Sequence, residues 1–188
     1  MPAITTNLPS QYRWLNKIKT LPNNIANALE FYGVQEIVGK GSNKTIIEWR
    51  DQLNQAGVTI KGYSDDDIPW CGLFVAIVIF FRKDNPHEVV KDPLWARNWL
   101  NYGINATTAA LGDVLVFARN SGGHVGFYIG EDTTCYHVLG GNQSNKVNIT
   151  RVQKSRCIGI RRPTYNIRPD SAKRYHLAST GTISKNEA

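Results

Sequence analysis

Residues Cys71 to Phe81 read CGLFVAIVIFF, a run whose only polar group is the thiol. A segment that is apolar on every side must be buried on every side, so the rest of the chain has to supply a core around all its flanks. Eleven residues fall well short of the roughly 20 that a bilayer-spanning helix needs, and Arg82 and Lys83 follow at once. The run is therefore a core segment of a folded domain. Its place directly after Pro69 and Trp70 predicts a helix that starts near Trp70, while the β-branched residues leave a buried strand as the alternative.

The other elements arrange themselves around that segment. In NNIANALEFYG and SNKTIIEWRDQLNQAG the apolar residues Ile25, Leu29, Tyr32, Ile46, Ile47, Trp49 and Leu53 recur at helical spacing, with Gly33 and Gly57 in helix-stop positions. DPLWARNWLNYG, with Trp95 and Trp99 four residues apart, reads as a further helix. From residue 111 the periodicity changes. GDVLVFA, HVGFYIG, TCYHVLG, NKVNITRV and CIGIRRP are short, β-rich and separated by turn residues. The expected fold class is α+β: N-terminal helices packed on a C-terminal antiparallel sheet or half-barrel. With 188 residues, one domain is expected over 1–163, helical to 110 and sheet-forming from 111 to 163. A polar tail, 164–188, is expected to lie along the surface or fray.

Twenty-two lysines and arginines stand against 15 acids, a formal charge of +7 with a pI near 9.4. That balance suits a polyanionic partner. The basic residues are scattered and show no aromatic-flanked RNA-binding signature, which argues against nucleic acid. The stretch MPAITTNLPSQYRWLNKIK has neither a continuous apolar h-region nor a small-residue cleavage site, so synthesis in the cytoplasm without a secretory signal is expected. Cys71, Cys135 and Cys157 cannot all pair and show no CxxC spacing. Reduced thiols are expected, with no cofactor.

Cys71 combines two properties of a nucleophile. At the start of a helix, free N–H groups and the positive dipole end favour the thiolate. The same placement also suits a buried, inert cysteine. What separates the readings is the company Cys71 keeps. ALGDVLVFARNSGGHVGFYIGEDTTCYHVLGGNQ brings His124 to the start of a strand after a Gly-Gly turn, and Asn142 and Gln143 follow. A thiol nucleophile needs a base, and the base needs a polar group to orient it. Each role has an occupant.

IPWCGLFV, LGDVLVF, GHVGFYIG and VLGGNQSNKV, in that order, resemble the cell-wall peptidase superfamily of CHAP (cysteine, histidine-dependent amidohydrolase/peptidase) and NlpC-like domains. Within it they are most similar to a phage and bacterial family carrying Pro-Trp-Cys, Gly-His-Val-Gly and Leu-Gly-Gly-Asn-Gln. With FYGVQEIVGKGSNKTIIEW upstream, the likeness spans roughly residues 25 to 163. It implies a papain-like fold with Cys71 as nucleophile and His124 as base. The third residue is left open. A CHAP-like pattern selects Asn142, an NlpC-like pattern falls on or beside His137, and Gln143 is available as an oxyanion donor.

The resemblance implies a peptidoglycan hydrolase that cuts a wall amide bond, as amidase or endopeptidase. A phage endolysin released through a holin and an exported lytic effector both fit, acting at the wall or in the periplasm as a monomer without membrane insertion. A cysteine amidohydrolase on another amide, or a wall-binding module with a vestigial site, are the competing readings.

Other residues carry narrower expectations. Trp70 either lines the substrate groove or packs the core. Asp113 is expected to hold a turn. Glu36, Gly39 and Asn43 are placed to touch a peptide stem, although Asn43 also reads as a helix N-cap. Cys71, His124, Cys135 and His137 can be assembled on paper into a zinc site, but their spacing matches no finger. Cys157 is expected to be buried and inert.

Overall fold

The computed structural model describes residues 7–82, 88–119, 122–181 and 183–184. Three α-helices come first: α1 (Asn23–Glu30), α2 (Lys44–Gln55) and α3 (Cys71–Phe80). A six-stranded antiparallel open sheet follows, formed by β1 (Ile104–Asn105), β2 (Val114–Arg119), β3 (Gly122–Glu131), β4 (Cys135–Gly140), β5 (Asn148–Gln153) and β6 (Cys157–Arg162). Its order is β1-β6-β2-β3-β4-β5. The class is α+β, helices before sheet.

The apolar run forms α3, and every residue from Cys71 to Ile79 is buried. Helices α1 and α2 cover one side of it, and β3 and β4 the other. Complete burial outweighs the weak strand preference of Val and Ile, because each large side chain removed from water contributes about 1.5–3 kcal/mol and β propensity only about 1 kcal/mol at most. Val114, Val116, Val125, Phe127, Ile129 and Leu139 meet α3 in the main core. On the opposite face of the sheet Leu115, Phe117, Tyr128, Val138 and Val152 form a second, smaller cluster.

Helix boundaries follow local chemistry. Asn43 caps α2, its Oδ1 accepting the Thr45 amide at 2.9 Å. Gly57, at φ 83°, turns the chain out of the same helix. The first turn of α3 is pressed so closely onto the 93–94 segment that a Cβ on Gly72 would lie 2.1 Å from the Pro93 carbonyl oxygen. Backbone cannot yield as a flexible side chain can. Gly72→Ala is therefore expected to destabilise the fold by about 3 kcal/mol or more, lowering the thermal midpoint by about 6 °C or more for a chain of this size. Circular dichroism melting measures this, and an unchanged midpoint would contradict the packing described.

Two elements differ from expectation. The 92–102 segment is not an α-helix but a 3₁₀ turn, Ala96–Asn101. Trp99 is fully buried, with its indole N–H donating to Pro93 O at 2.9 Å, whereas Trp95 is 71% exposed. An α-helix would put residues four apart on one face; here the two indoles go to different places. Strand β1 is only two residues long and is held by pairing with Arg161 and Arg162 of β6, so it has no periodicity to read.

The described part of the tail is tied down. Glu131 N donates to Tyr175 O and Leu177 N to Glu131 O, extending the β3 end. The buried Glu131 carboxylate pairs with Lys154 at 2.9 Å and with Arg174. Residues 1–6, Lys83 and 185–188, which the expected domain, helix flank and tail include, lie outside the described residues.

Candidate active site

Cys71 is the first residue of α3, directly after Pro69 and Trp70. It is 6% exposed and opens onto a cleft of about 530 Å³ that Lys61, Trp95, Arg119, Gly122 and Gly123 also line. Burial pushes the thiol pKa up, against the opposing pull of the Val125 and Gly72 amides and the Arg119 charge. The helix-start effect on the thiol is present, but desolvation outweighs it. The resting group is thus a neutral thiol, which needs a base to take its proton.

His124 lies near the start of β3, opposite Phe117 of β2, on whose ring it stacks with centroids 6.3 Å apart. The thiol takes the amide of Val125, the next residue. On the other side, His124 Nε2 meets Gln143 Oε1 at 3.1 Å. The Gln143 amide cannot be turned round, since its Nε2 donates to Asn148 O at 2.7 Å and Val138 O at 3.1 Å while Thr150 Oγ1 donates to Oε1 at 2.9 Å. An acceptor therefore faces the imidazole. His124 Nε2 must carry the proton, which leaves Nδ1 as the basic nitrogen.

Glycines make room for this pair. A Cβ on Gly140 would lie 3.1 Å from Gln143 Oε1 and 3.2 Å from His124 Nε2, and one on Gly141 would lie 2.6 Å from Phe74 Cβ. The 140–143 turn is thus wedged between the histidine and the first turn of α3. Asn142 bridges it in the left-handed region, at φ 54°.

The structure consequently brings Gln143, and not Asn142, against His124. Asn142 and Gln143 are adjacent, and the left-handed turn at Asn142 sends Gln143 back over the sheet. The Asn142 side chain makes no hydrogen bond among the described residues. Gln143, expected as an oxyanion donor or substrate contact, has its side-chain amide committed to this network.

His137 belongs to a different part of the molecule. It pairs with Gly130, six residues along β3 from His124, a separation of about 20 Å at strand rise. It is buried, with Nδ1 on Tyr12 OH at 2.7 Å and Nε2 on Asp132 Oδ2 at 3.1 Å. It can neither orient His124 nor join Cys71 and His124 around a metal. Trp70 is turned inward: it is fully buried, donates to Glu36 Oε2 at 2.9 Å and packs near Trp49. It supports the cleft floor from below, while Trp95 lines the cleft.

The remaining candidates are structural. Asp66 Oδ2 accepts the amides of Ile37 at 3.0 Å and Asn43 at 2.7 Å, clamping the 36–43 loop to the segment before Cys71. Asp113 holds its turn through the Ala110 amide and pairs with Arg162. Cys157 is half-buried with its thiol on Gly159 O, and Cys135 is fully buried.

Burial lowers the His137 pKa below its ordinary value, against the raising effect of Asp132. The Asp132 carboxyl is itself held well below its usual range: burial opposes ionisation, but hydrogen bonds from Arg151, the Thr134 and Cys135 amides and His137 prevail. Both folded pKa values are depressed, so the unfolded chain binds protons first and stability falls on acidification. The His137 contribution begins to be lost below its unfolded pKa near 6.5. Thermal midpoints are expected to fall between pH 7.5 and 5.5, and a flat profile would contradict a neutral buried His137.

No family model and no curated protein matches this chain. The sequence did not mark Gln143 as the residue that meets His124, nor Lys61, Arg119 and Trp95 as residues that line the cleft with Cys71. For Gln143 the signal was present in GGNQ, but only the turn geometry selects between neighbours. For the other three no local pattern marks them.

Proposed function

We propose that the protein is a papain-like cysteine hydrolase that cleaves an amide bond of bacterial peptidoglycan. The observation that carries this reading is the orientation of His124. A fixed Gln143 acceptor on Nε2 leaves Nδ1 basic, one residue from the peptide whose amide touches the Cys71 thiol. In this mechanism Nδ1 takes the thiol proton as Sγ attacks the carbonyl carbon. First-turn amides of α3, those of Cys71 and Gly72, stabilise the oxyanion. The imidazolium then protonates the leaving amine, and water attacks the thioester to release the acid and regenerate the thiol.

The wall as substrate is supported by the ordered PWC, GHVG and LGGNQ motifs, which resemble CHAP and NlpC-like domains, and by the +7 charge, which suits an anionic polymer. The protein acts as a monomer at the wall after holin-type release or export, and nucleic acid is not its partner. No helix among the described residues is long and apolar enough to cross a membrane. A cysteine hydrolase on a non-wall amide is the second reading, since Cys71, His124 and Gln143 serve any amide equally well. Mass spectrometry of fragments released from purified sacculi tests the proposal. New termini at one type of amide bond are expected, and they distinguish amidase from endopeptidase. Cleavage of unrelated peptides with no release from any sacculus would favour the second reading.

A further inference from the structure

The cleft beside Cys71 is electrically one-sided. Lys61 and Arg119 line it, and no carboxylate among the described residues does. Neither cation has an ion pair or a side-chain hydrogen bond with a described residue. Other arginines with buried or half-buried side chains are committed: Arg82 to Glu88, Arg151 to Asp132, Arg162 to Asp113. Even the exposed Arg97 donates to Gly122 O at 2.8 Å. Asp92 borders an adjoining recess with Lys61 and Trp95 but forms no ion pair with Lys61. A half-buried guanidinium without a partner among the described residues, at the end of β2 opposite Gly122, is poised for an anion from outside.

We propose that Lys61 and Arg119 form an anion subsite next to the nucleophile, which selects peptides bearing a free carboxylate beside the scissile amide. This deepens the hydrolase reading and rests on it. Guanidinium groups bind carboxylates in two-pronged fashion, and an ammonium adds a second, adjustable charge. Partial removal from water strengthens the half-buried Arg119, while Lys61 is exposed. Trp95, Ile68 and Leu94 supply an apolar wall along which the peptide lies. The subsite rejects a carboxamide at the same position, because an amide offers one oxygen and no charge. The influence of Arg119 on the Cys71 sulfur is consistent with this placement.

Two wall stem peptides, identical except for a free carboxylate or a carboxamide next to the cut bond, test the proposal. Wild-type protein is expected to cleave the acid with kcat/KM about tenfold or more above the amide, with most of the difference in KM. Lys61→Met combined with Arg119→Met is expected to bring the two peptides to the same kcat/KM. Should Arg119→Met fail to fold, Lys61→Glu alone is expected to reduce the preference severalfold. Equal cleavage of both peptides by wild-type protein would overturn the subsite and leave the hydrolase reading standing. If neither peptide is cleaved, the hydrolase reading fails, and calorimetric binding to the Cys71→Ala protein decides the subsite. A preference for the acid that is lost in the Lys61 and Arg119 variants supports it; equal binding, or none, overturns it.

Discussion

Cys71→Ala is expected to abolish the proposed release of soluble fragments from sacculi while far-ultraviolet circular dichroism and the melting profile stay close to wild type. Among the described residues that line the cleft, Cys71 carries the one thiol, to which the proposed mechanism gives the acyl intermediate, and alanine fits the first position of α3 without strain. Removing a nucleophile that works as a unit with its base costs on the order of 10⁶ in kcat, beyond the reach of most assays. Cys71→Ser should be nearly as inactive, because a neutral hydroxyl is a poorer nucleophile than a thiol. Alkylation supplies an independent readout. Burial raises the thiol pKa, so modification by iodoacetamide should accelerate as pH rises above neutrality. Retention of more than a few per cent of the rate by the folded alanine variant would remove the cysteine mechanism.

The second large effect is expected at His124 and its support. His124→Ala should approach the inactivity of the cysteine variant, because the proposed mechanism gives it the proton transfer from the thiol. Gln143→Ala should cost about a hundredfold and distort the pH profile, since the imidazole loses the acceptor that fixes its tautomer. Asn142→Gly should retain most of the rate: glycine adopts the positive φ at that position, and no hydrogen bond of the side chain is lost. His137→Ala should leave kcat nearly intact and lower stability instead. A near-normal Gln143→Ala beside a crippled, folded Asn142→Gly would transfer the orienting role back to Asn142.

The parts of this molecule that could be read beforehand are those with a physical period or a stop signal. Helices α1 and α2, and strands β2 to β6, announce themselves through apolar spacing closed by Gly or Asn, and α3 through an apolar run too short to cross a membrane. Cys71 and His124 could be read because each sits at the start of such an element. The residue that meets His124 could not, since it depends on whether a seven-residue turn between Gly140 and Asn148 points one amide or its neighbour at the imidazole. That choice is made by the left-handed residue Asn142 and by the close approach of Gly141 to Phe74. The cleft wall was equally hidden. Lys61 and Arg119 lie 58 positions apart in the chain and share a wall only in the folded cleft beside Cys71. Trp95 was misplaced for a related reason: its spacing from Trp99 promised a shared helical face that a 3₁₀ turn does not provide.

Helix α3 is buried from Cys71 to Ile79, and the proposed nucleophile is its first residue, at the cleft. Its amides beyond the first turn are therefore expected among those that exchange with solvent only when the whole domain opens, so the Cys71 thiol is carried on the most stable part of the fold. Denaturant should extinguish catalysis and structure together, without an intermediate that is folded and inert. The working lifetime of such a site is the lifetime of the core around it.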